Sequence, residues 1–554
     1  MIKDLVKESL LQTLELDDIE VEIFSRFADL AINPSQVNEI SKKTGLSPDE
    51  IAEKIKTKLV EDEIADHVEL KSGFINIQLT SSIQESEIRK MASDLDEYLL
   101  DPKTSEKRII FDYSQPNIAK PFSVGHLRST VIGQANLNIH KVLGAKIFGI
   151  NHIGDWGTQF GKLIYAVKNW GDEQKIEADP IKELVALYQR FHREAEENPD
   201  LNKDAAEWFR KLELKDEEAT ELWKKCIKWS FAEFDRLYKV LNVSIDETIG
   251  ESFYADKTDD VISQLRQKGI LKESEGAQIV ELENMPPAII QKSNESTLYM
   301  TRDLAAIKYR VENYKPTEII YHVGNDQSLH FQQLFGVAKL MGWVDGIKLT
   351  FAGHGMMRLE SGKMSTRAGR VVLLDDLIGE AKVRVGEVFK EHESSSDESK
   401  VQDVAVSAIK YADLSSNRKS DVVFSFDRLI DLKGNSAIYL QYSYARIRSL
   451  IREFEKRFGS LESEVCYDEN TSDLIKKLLE FKPVLISASE SSMPNSLTEY
   501  LFELANEFNR YYEKVRIIDE DKEKSLPRIL TCAAVSEVLG KGLDLLGVSK
   551  FEEI

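Results

Sequence analysis

Lysine, histidine and glycine gather around one short segment, and their chemistry comes before any question of fold. In Phe111–Gly133, FDYSQPNIAKPFSVGHLRSTVIG, Gly125 lets backbone approach a ligand closely, while Lys120, His126 and Arg128 can place positive charge or hydrogen-bond donors around it. Such a set suits the phosphates of a nucleotide. A glycine in a tight turn beside a surface histidine would leave the same letters. Much further along, SGKMSTRAGR (Ser361–Arg370) brackets Lys363, Ser365, Thr366 and Arg367 between two glycines, Gly362 and Gly369. A strap of that kind can bring cations and hydroxyls over a polyphosphate, and a solvated basic turn is the alternative. Charge on an α-phosphate and a departing pyrophosphate is best stabilised by donors placed in advance.

The elements around these residues predict how they are positioned. Arg108–Tyr113 (RIIFDY) reads as a short buried strand, and Pro116 and Pro121 prevent a helix before the loop has finished. From Val124 the pattern turns helical, with Leu127, Val131, Leu137 and Val142 near helical spacing and Gly144 as the stop. A second strand, Lys146–His152, completes a βαβ unit whose loop and helix start form an anion site. A second α/β half follows in Thr317–Trp343, again strand, polar loop and helix, with a further strand in Ile347–Met357. Between the halves, Ile164–Val243 reads as a helical insertion in which Trp208, Trp223, Trp229, Phe231 and Phe234 look like core packing. Two such halves predict a doubly wound sheet with ligands outside the strand ends at the switch point.

The strings Ser114–Thr130 (SQPNIAKPFSVGHLRST) and Asn151–Gly161 (NHIGDWGTQFG) together resemble the signature region of class I aminoacyl-tRNA synthetases, most closely the arginyl-tRNA synthetases. Ser361–Arg370 resembles their KMSK strap. Both signatures depart from the widest form: the leading histidine of H-x-G-H is Ser123 here, and the last lysine of KMSK is Thr366 followed by Arg367. The resemblance implies that Lys120 compensates for the degenerate strap. It implies catalytic roles for Lys120, His126, Lys363 and Arg367, and ATP contacts from Ser123, Gly125, His126, Gly355, Met356, Lys363 and Ser365. A guanidinium substrate offers five donors in a planar fork and calls for carboxylates. Positions matching the family's arginine pocket are Asp112, Asn117, Glu251, Tyr299, Asp303 and Gln327. The expected reaction is arginine activation by ATP, with magnesium accompanying the nucleotide, and transfer to tRNA(Arg). No tightly bound cofactor or metal cluster is expected.

At 554 residues and 42% hydrophobic content the chain has core for about three domains. Residues 1–105 read as a small α/β module, helical near Leu5–Phe24 and stranded at Gly73–Leu79. By resemblance it is a tRNA-contacting domain; plain scaffolding is the alternative. Residues 106–385 form the expected Rossmann-type catalytic domain, 386–404 a polar linker, and 405–554 a helical anticodon-binding domain. The expected fold class is therefore multidomain α/β plus all-α. In the last region Tyr439–Phe458 and Ala505–Ile517 interleave rings and cations, and Tyr442, Arg446, Arg448, Arg452, Arg510 and Tyr511 are the candidate tRNA contacts. A merely amphipathic helix with solvated arginines would look similar. With 73 basic and 95 acidic residues the net charge is −22, an unusual balance for an RNA partner. Local basic faces act within a Debye length of about 8 Å, so net charge does not exclude one.

No stretch is long and apolar enough for a membrane span, and acids interrupt the first residues where a signal peptide needs an apolar run. Cys226, Cys466 and Cys532 are too scattered for a disulfide framework. A cytoplasmic monomer is expected. Two other readings are a small-molecule nucleotidyltransferase of the same fold, which leaves the extra domains unexplained, and a synthetase-like RNA binder without chemistry.

Overall fold

The computed structural model describes residues 2–16, 22–25, 28–292, 299–359, 373–391, 397–461 and 471–553. At its centre is a five-stranded parallel sheet in the order Lys348–Phe351, Glu318–Tyr321, Arg108–Asp112, Lys146–Asn151, Glu247–Thr248. Ile109, Ile110 and Phe111 of the middle strand are fully buried, as both faces of a covered parallel sheet require. Helix Val124–Val142 is the crossover to Lys146–Asn151, and the chain leaves it through Gly144 at φ 100°. This helix lies close on the strand it follows: a Cβ at Gly133 would sit 2.4 Å from the Cβ of Tyr113. Strand order reverses between Arg108–Asp112 and Glu318–Tyr321, so the crevice at a switch point opens beside Asp112 and Tyr321.

Helices Thr158–Trp170, Pro180–Glu197, Leu201–Glu213 and Glu217–Val240 form the insertion. Trp229 and Phe234 are buried in it, and Trp208, Trp223 and Phe231 pack partly buried against the same core. A three-stranded antiparallel sheet, Leu271–Ser274, Ala277–Leu282 and Met285–Gln291, lies between the halves and has no counterpart in the sequence reading.

The N-terminal module is a four-stranded antiparallel sheet with helices Ile2–Leu14, Pro34–Thr44 and Pro48–Glu61. Its first helix stops at Leu14, and Phe24 belongs to strand Glu22–Ser25, so the helix expected to reach Phe24 is too long. The expected linker at 386–404 is also mostly helix. Leu374–Glu391 runs into it from one side and Glu398–Leu414 starts within it, N-capped by Asp397 through Oδ1 and the Lys400 N–H at 2.8 Å. Beyond it a short strand, Val422–Phe424, pairs in parallel with Met357–Leu359, which the helical reading of 405–554 did not anticipate. After it the described residues are helical, in Ala437–Phe458, Ser472–Leu479, Phe481–Ser491, Asn495–Lys514 and Lys522–Leu546. Among the described residues no helix is long and apolar enough to cross a membrane.

Candidate active site

The loop from strand Arg108–Asp112 to helix Val124–Val142 holds three non-glycine residues in the left-handed region, Ser114 (φ 76°), Gln115 (φ 55°) and Ala119 (φ 57°). Such backbone persists only where its surroundings over-determine it. Here each of the three N–H groups has its own side-chain acceptor. Ser114 donates to Ser129 Oγ at 3.0 Å, Gln115 to Asn151 Oδ1 at 3.0 Å, and Ala119 to Ser230 Oγ at 3.1 Å. The acceptors come from the following helix, the next strand and the insertion, so three elements fix the loop that presents Lys120.

Ser123 N-caps the helix, and its backbone N–H donates to His126 Nδ1 at 3.1 Å. An amide can only donate, so Nδ1 is the acceptor and the neutral ring carries its proton on Nε2. Burial, and secondarily Lys120, pushes the imidazole down to about 4. His126 is therefore a neutral donor at physiological pH, the second of the two roles, charge or donor, that the sequence left open. Ser123, where the family's wider pattern has histidine, orients this ring. A Cβ at Gly125 would meet only Ser123 Oγ, at 3.4 Å, which leaves its ligand-facing side open. Arg128 departs further from expectation. It is fully buried and ion-paired with Asp413 at 2.7 Å, so it is no phosphate ligand.

Beside this loop a cavity of about 540 Å³ gathers Asp112, Asn117, Lys120, Glu251, Tyr299, Asp303 and Gln327. All six arginine-pocket candidates therefore line one space. Gly154 makes room for Asn117, whose Oδ1 would lie 2.3 Å from a Cβ there. Each carboxylate has a partner: Asp112 takes Arg310 at 2.7 Å and Gln115 Nε2 at 2.6 Å, Glu251 takes Arg302 at 2.9 Å, and Asp303 takes His330 at 2.6 Å. Arg302 also lies 4.9 Å over the Tyr299 ring, so the cavity wall already receives a guanidinium on Glu251 and an aromatic face. Burial pushes the Glu251 carboxyl up to about 7; Arg302 opposes the shift and nearby Asp303 adds to it. Gln115, His152, Arg310, Asp326 and His330 also line the cavity and were not singled out from sequence, although all but Arg310 stood in segments quoted for other reasons.

Asp112 and Arg310 are 3% and 1% exposed, which makes this pair a buried structural unit in the cavity floor. Replacing Arg310 with leucine is expected to leave Asp112 buried without its counter-charge, at about 3–5 kcal/mol. Thermal unfolding should show a drop of several degrees, larger than for the double variant Asp112→Asn/Arg310→Leu.

Gly355 and Met356 follow strand Lys348–Phe351. Met356 is 57% exposed, but its N–H donates to Asp421 Oδ1 and its carbonyl accepts from Val422, both at 2.8 Å. The backbone donor and acceptor of Met356 are thus both engaged, and its side chain is the exposed part of the residue. Lys363, Ser365, Thr366 and Arg367 lie outside the described residues. The chain returns from them at Leu373, which bridges Ser123, while Leu374 N–H donates to the Phe122 carbonyl at 3.1 Å; the exit of the strap is thus tied to the histidine loop.

On the helical region the six candidate tRNA contacts part company. Arg446 donates to Asn509 at 2.6 Å and lies over Tyr512, and Arg510 is exposed beside Glu507. Arg448 and Arg452 are held by Glu552, at 2.9 and 3.1 Å. Tyr442 is half-buried, and Tyr511 is buried in the helical core at 6% exposure while Tyr512 faces out.

A parallel sheet with a histidine at the start of its first crossover helix, and a crevice at the switch point, is a nucleotide-binding α/β fold that class I synthetases share with other nucleotidyltransferases. Residues 91–426 match the family described as tRNA synthetases class I (R), catalytic domain. Residues 440–554 match the DALR anticodon binding domain and 1–79 the Arginyl tRNA synthetase N terminal domain. The chain belongs to the arginyl-tRNA synthetase family. It is 39% identical over 565 residues to an arginine–tRNA ligase of Halothermothrix orenii, covering 99% of each chain. A Clostridioides difficile arginine–tRNA ligase is 39% identical over 99% of this chain and 96% of its own. The arginyl-tRNA synthetase of Plasmodium falciparum superposes with a TM-score of 0.82 at 27% identity, covering 100% of this chain and 98% of that one. The Thermus thermophilus arginyl-tRNA synthetase shares the fold, with a TM-score of 0.81 at 21% identity and 100% coverage of both.

Proposed function

We propose that the chain activates L-arginine with ATP and transfers it to tRNA(Arg). An arginine carboxylate oxygen attacks the α-phosphorus, the bond to the bridging oxygen of the β-phosphate breaks, and pyrophosphate leaves; magnesium accompanying the nucleotide would help neutralise the phosphate charge. A ribose hydroxyl at the tRNA 3′ end then attacks the acyl carbon and releases AMP. The observation that carries this reading is the single cavity uniting Glu251, Tyr299, Asp303, Asn117 and Gln327 with Lys120. Glu251 and Asp303 take the guanidinium fork and Tyr299 its face, while Asn117 and Gln327 suit the substrate's backbone groups. Lys120 and the Nε2–H of His126 meet phosphate oxygens, joined by Lys363, Ser365 and Arg367 of the strap. Positioning the two substrates in line supplies much of the rate.

Ser123 and Gly125 shape the phosphate loop, and Gly355 and Met356 receive the adenine. Residues 1–105 contact the tRNA body, and the helical region reads the anticodon with Arg446, Arg510 and Tyr442 at its surface. Arg448 and Arg452 would have to leave Glu552 to join them. The enzyme works as a cytoplasmic monomer. Arginine-dependent ATP–pyrophosphate exchange, run with and without cognate tRNA against a panel of amino acids, tests the reading. Exchange with arginine alone among the panel is the expected result, and exchange that needs tRNA would add a requirement for it. No exchange from folded protein under either condition overturns the activity.

A further inference from the structure

The loop Gly353–Met356 is held from behind by two buried arginines that arrive from different elements. Arg128, on helix Val124–Val142, donates through Nη1 to the carbonyls of Gly355 at 2.8 Å and Ser420 at 2.9 Å. Arg418 donates through Nη1 to the Gly353 carbonyl and through Nε to the Ser492 carbonyl at 2.8 Å, and its own carbonyl accepts the Gly355 N–H at 2.8 Å. The loop is packed to contact as well: a Cβ at Gly355 would lie 2.4 Å from the Ser420 backbone.

Ser492 lies in the helical region, in a left-handed turn (φ 53°) that follows helix Phe481–Ser491. It is 2% exposed, and its carbonyl also accepts Asn136 Nδ2 from the histidine-bearing helix at 3.3 Å. One carbonyl of the helical region therefore meets both the helix that carries His126 and the arginine that holds the nucleotide loop. A guanidinium can serve two carbonyls lying in different directions because its donors form a rigid fork; an ammonium on a flexible stem cannot hold the same geometry.

We infer that Arg418 is a positioning residue for the nucleotide, fixing Gly353–Met356 against the Ser491–Ser492 turn so that the helical region sets the shape of the ATP site. The inference rests on the reading that ATP meets Gly355 and Met356. Arg418 touches no reacting atom, so its loss should act on ATP capture and leave arginine capture alone.

The test is steady-state ATP–pyrophosphate exchange on the full chain, with cognate tRNA present, for wild type, Arg418→Lys and Asn136→Ala. Arg418→Lys is expected to raise KM for ATP about tenfold, the equivalent of one charged hydrogen bond, with KM for arginine and kcat at saturating ATP within about twofold. Asn136→Ala, which leaves the Arg418 bridge in place, should change KM for ATP by less than about twofold. If Arg418→Lys does not fold, Arg418→Gln, which keeps a planar donor for one carbonyl, takes its place with the same expected split. An unchanged KM for ATP in a folded variant overturns the inference, and so does a parallel rise in both KM values with a lowered Tm. Absence of exchange in wild type would instead overturn the activity on which it rests.

Discussion

Replacing His126 with alanine is expected to lower arginine-dependent ATP–pyrophosphate exchange by about 10²–10³-fold, the usual cost of removing one preorganised donor to developing charge. The ring sits at the first turn of a buried helix with Nδ1 committed to the Ser123 N–H, so its remaining N–H is fixed in direction before any substrate arrives. Because the imidazole is held down at about 4, the wild-type rate should show no limb from this residue between about pH 6 and 8. Circular dichroism and Tm of the variant should match wild type within a few degrees, because the backbone N–H groups of residues 126 and 127 still reach the Ser123 carbonyl, at 3.0 and 3.2 Å. Near-normal exchange in a folded His126→Ala protein would remove the residue from the site. A bell-shaped profile centred near neutrality that disappears in the variant would show that the ring works as a charged acid instead.

Why this helix was legible and its neighbourhood was not is a matter of range. Prolines, a helical repeat starting at Val124 and a stopping Gly144 are local signals, and the structure starts and ends the element where they point. Arg128 carries no local sign of its destination. It is two positions beyond His126, which on a helix turns it to a nearly opposite face, and its partner Asp413 arrives from a distant helix that only the tertiary fold brings near. Tyr511 and Tyr512 differ in the same way: adjacent letters point about 100° apart, and only packing decides which ring is wet.

The segment 386–404 reads as a polar linker or exposed turn, and its serine run at 394–396 lies outside the described residues. On either side of that run the chain is helical: Asp397 is a helix cap, and Glu398 and Lys400 lie on the outer face of the first turn of Glu398–Leu414. The pocket residues came from resemblance more than from pattern. Asp112, Asn117, Glu251, Tyr299, Asp303 and Gln327 are scattered along the chain, and with 95 acids available no spacing could have selected Glu251 or Asp303. That Asp112 is already engaged by Arg310 was beyond sequence altogether, since Arg310 sits inside an otherwise ordinary helix.

Asp303→Asn and Glu251→Gln should each raise KM for arginine by about 100-fold or more, since a buried guanidinium that loses one of its carboxylates retains the desolvation cost without the pairing. The two carboxylates also make arginine capture depend on pH, with a sign that can be worked out. Burial raises the Glu251 carboxyl from 4.5 to about 7, so below neutrality it is increasingly protonated in the free protein. An incoming guanidinium favours the ionised form and must expel that proton, so KM for arginine should rise about tenfold per unit as pH falls below about 7 and flatten above it. Stability carries the matching signature. A carboxyl with a raised folded value contributes stability that is fully present below about 4.5 and lost as pH rises through about 7. Bound arginine returns that loss, so the increase in Tm at saturating arginine should be larger at pH 8 than at pH 6. In Glu251→Gln both trends should vanish, leaving a weak affinity that is flat with pH. Arginine affinity in wild type that holds constant between pH 5.5 and 8, or that strengthens toward acid, would place the guanidinium away from Glu251.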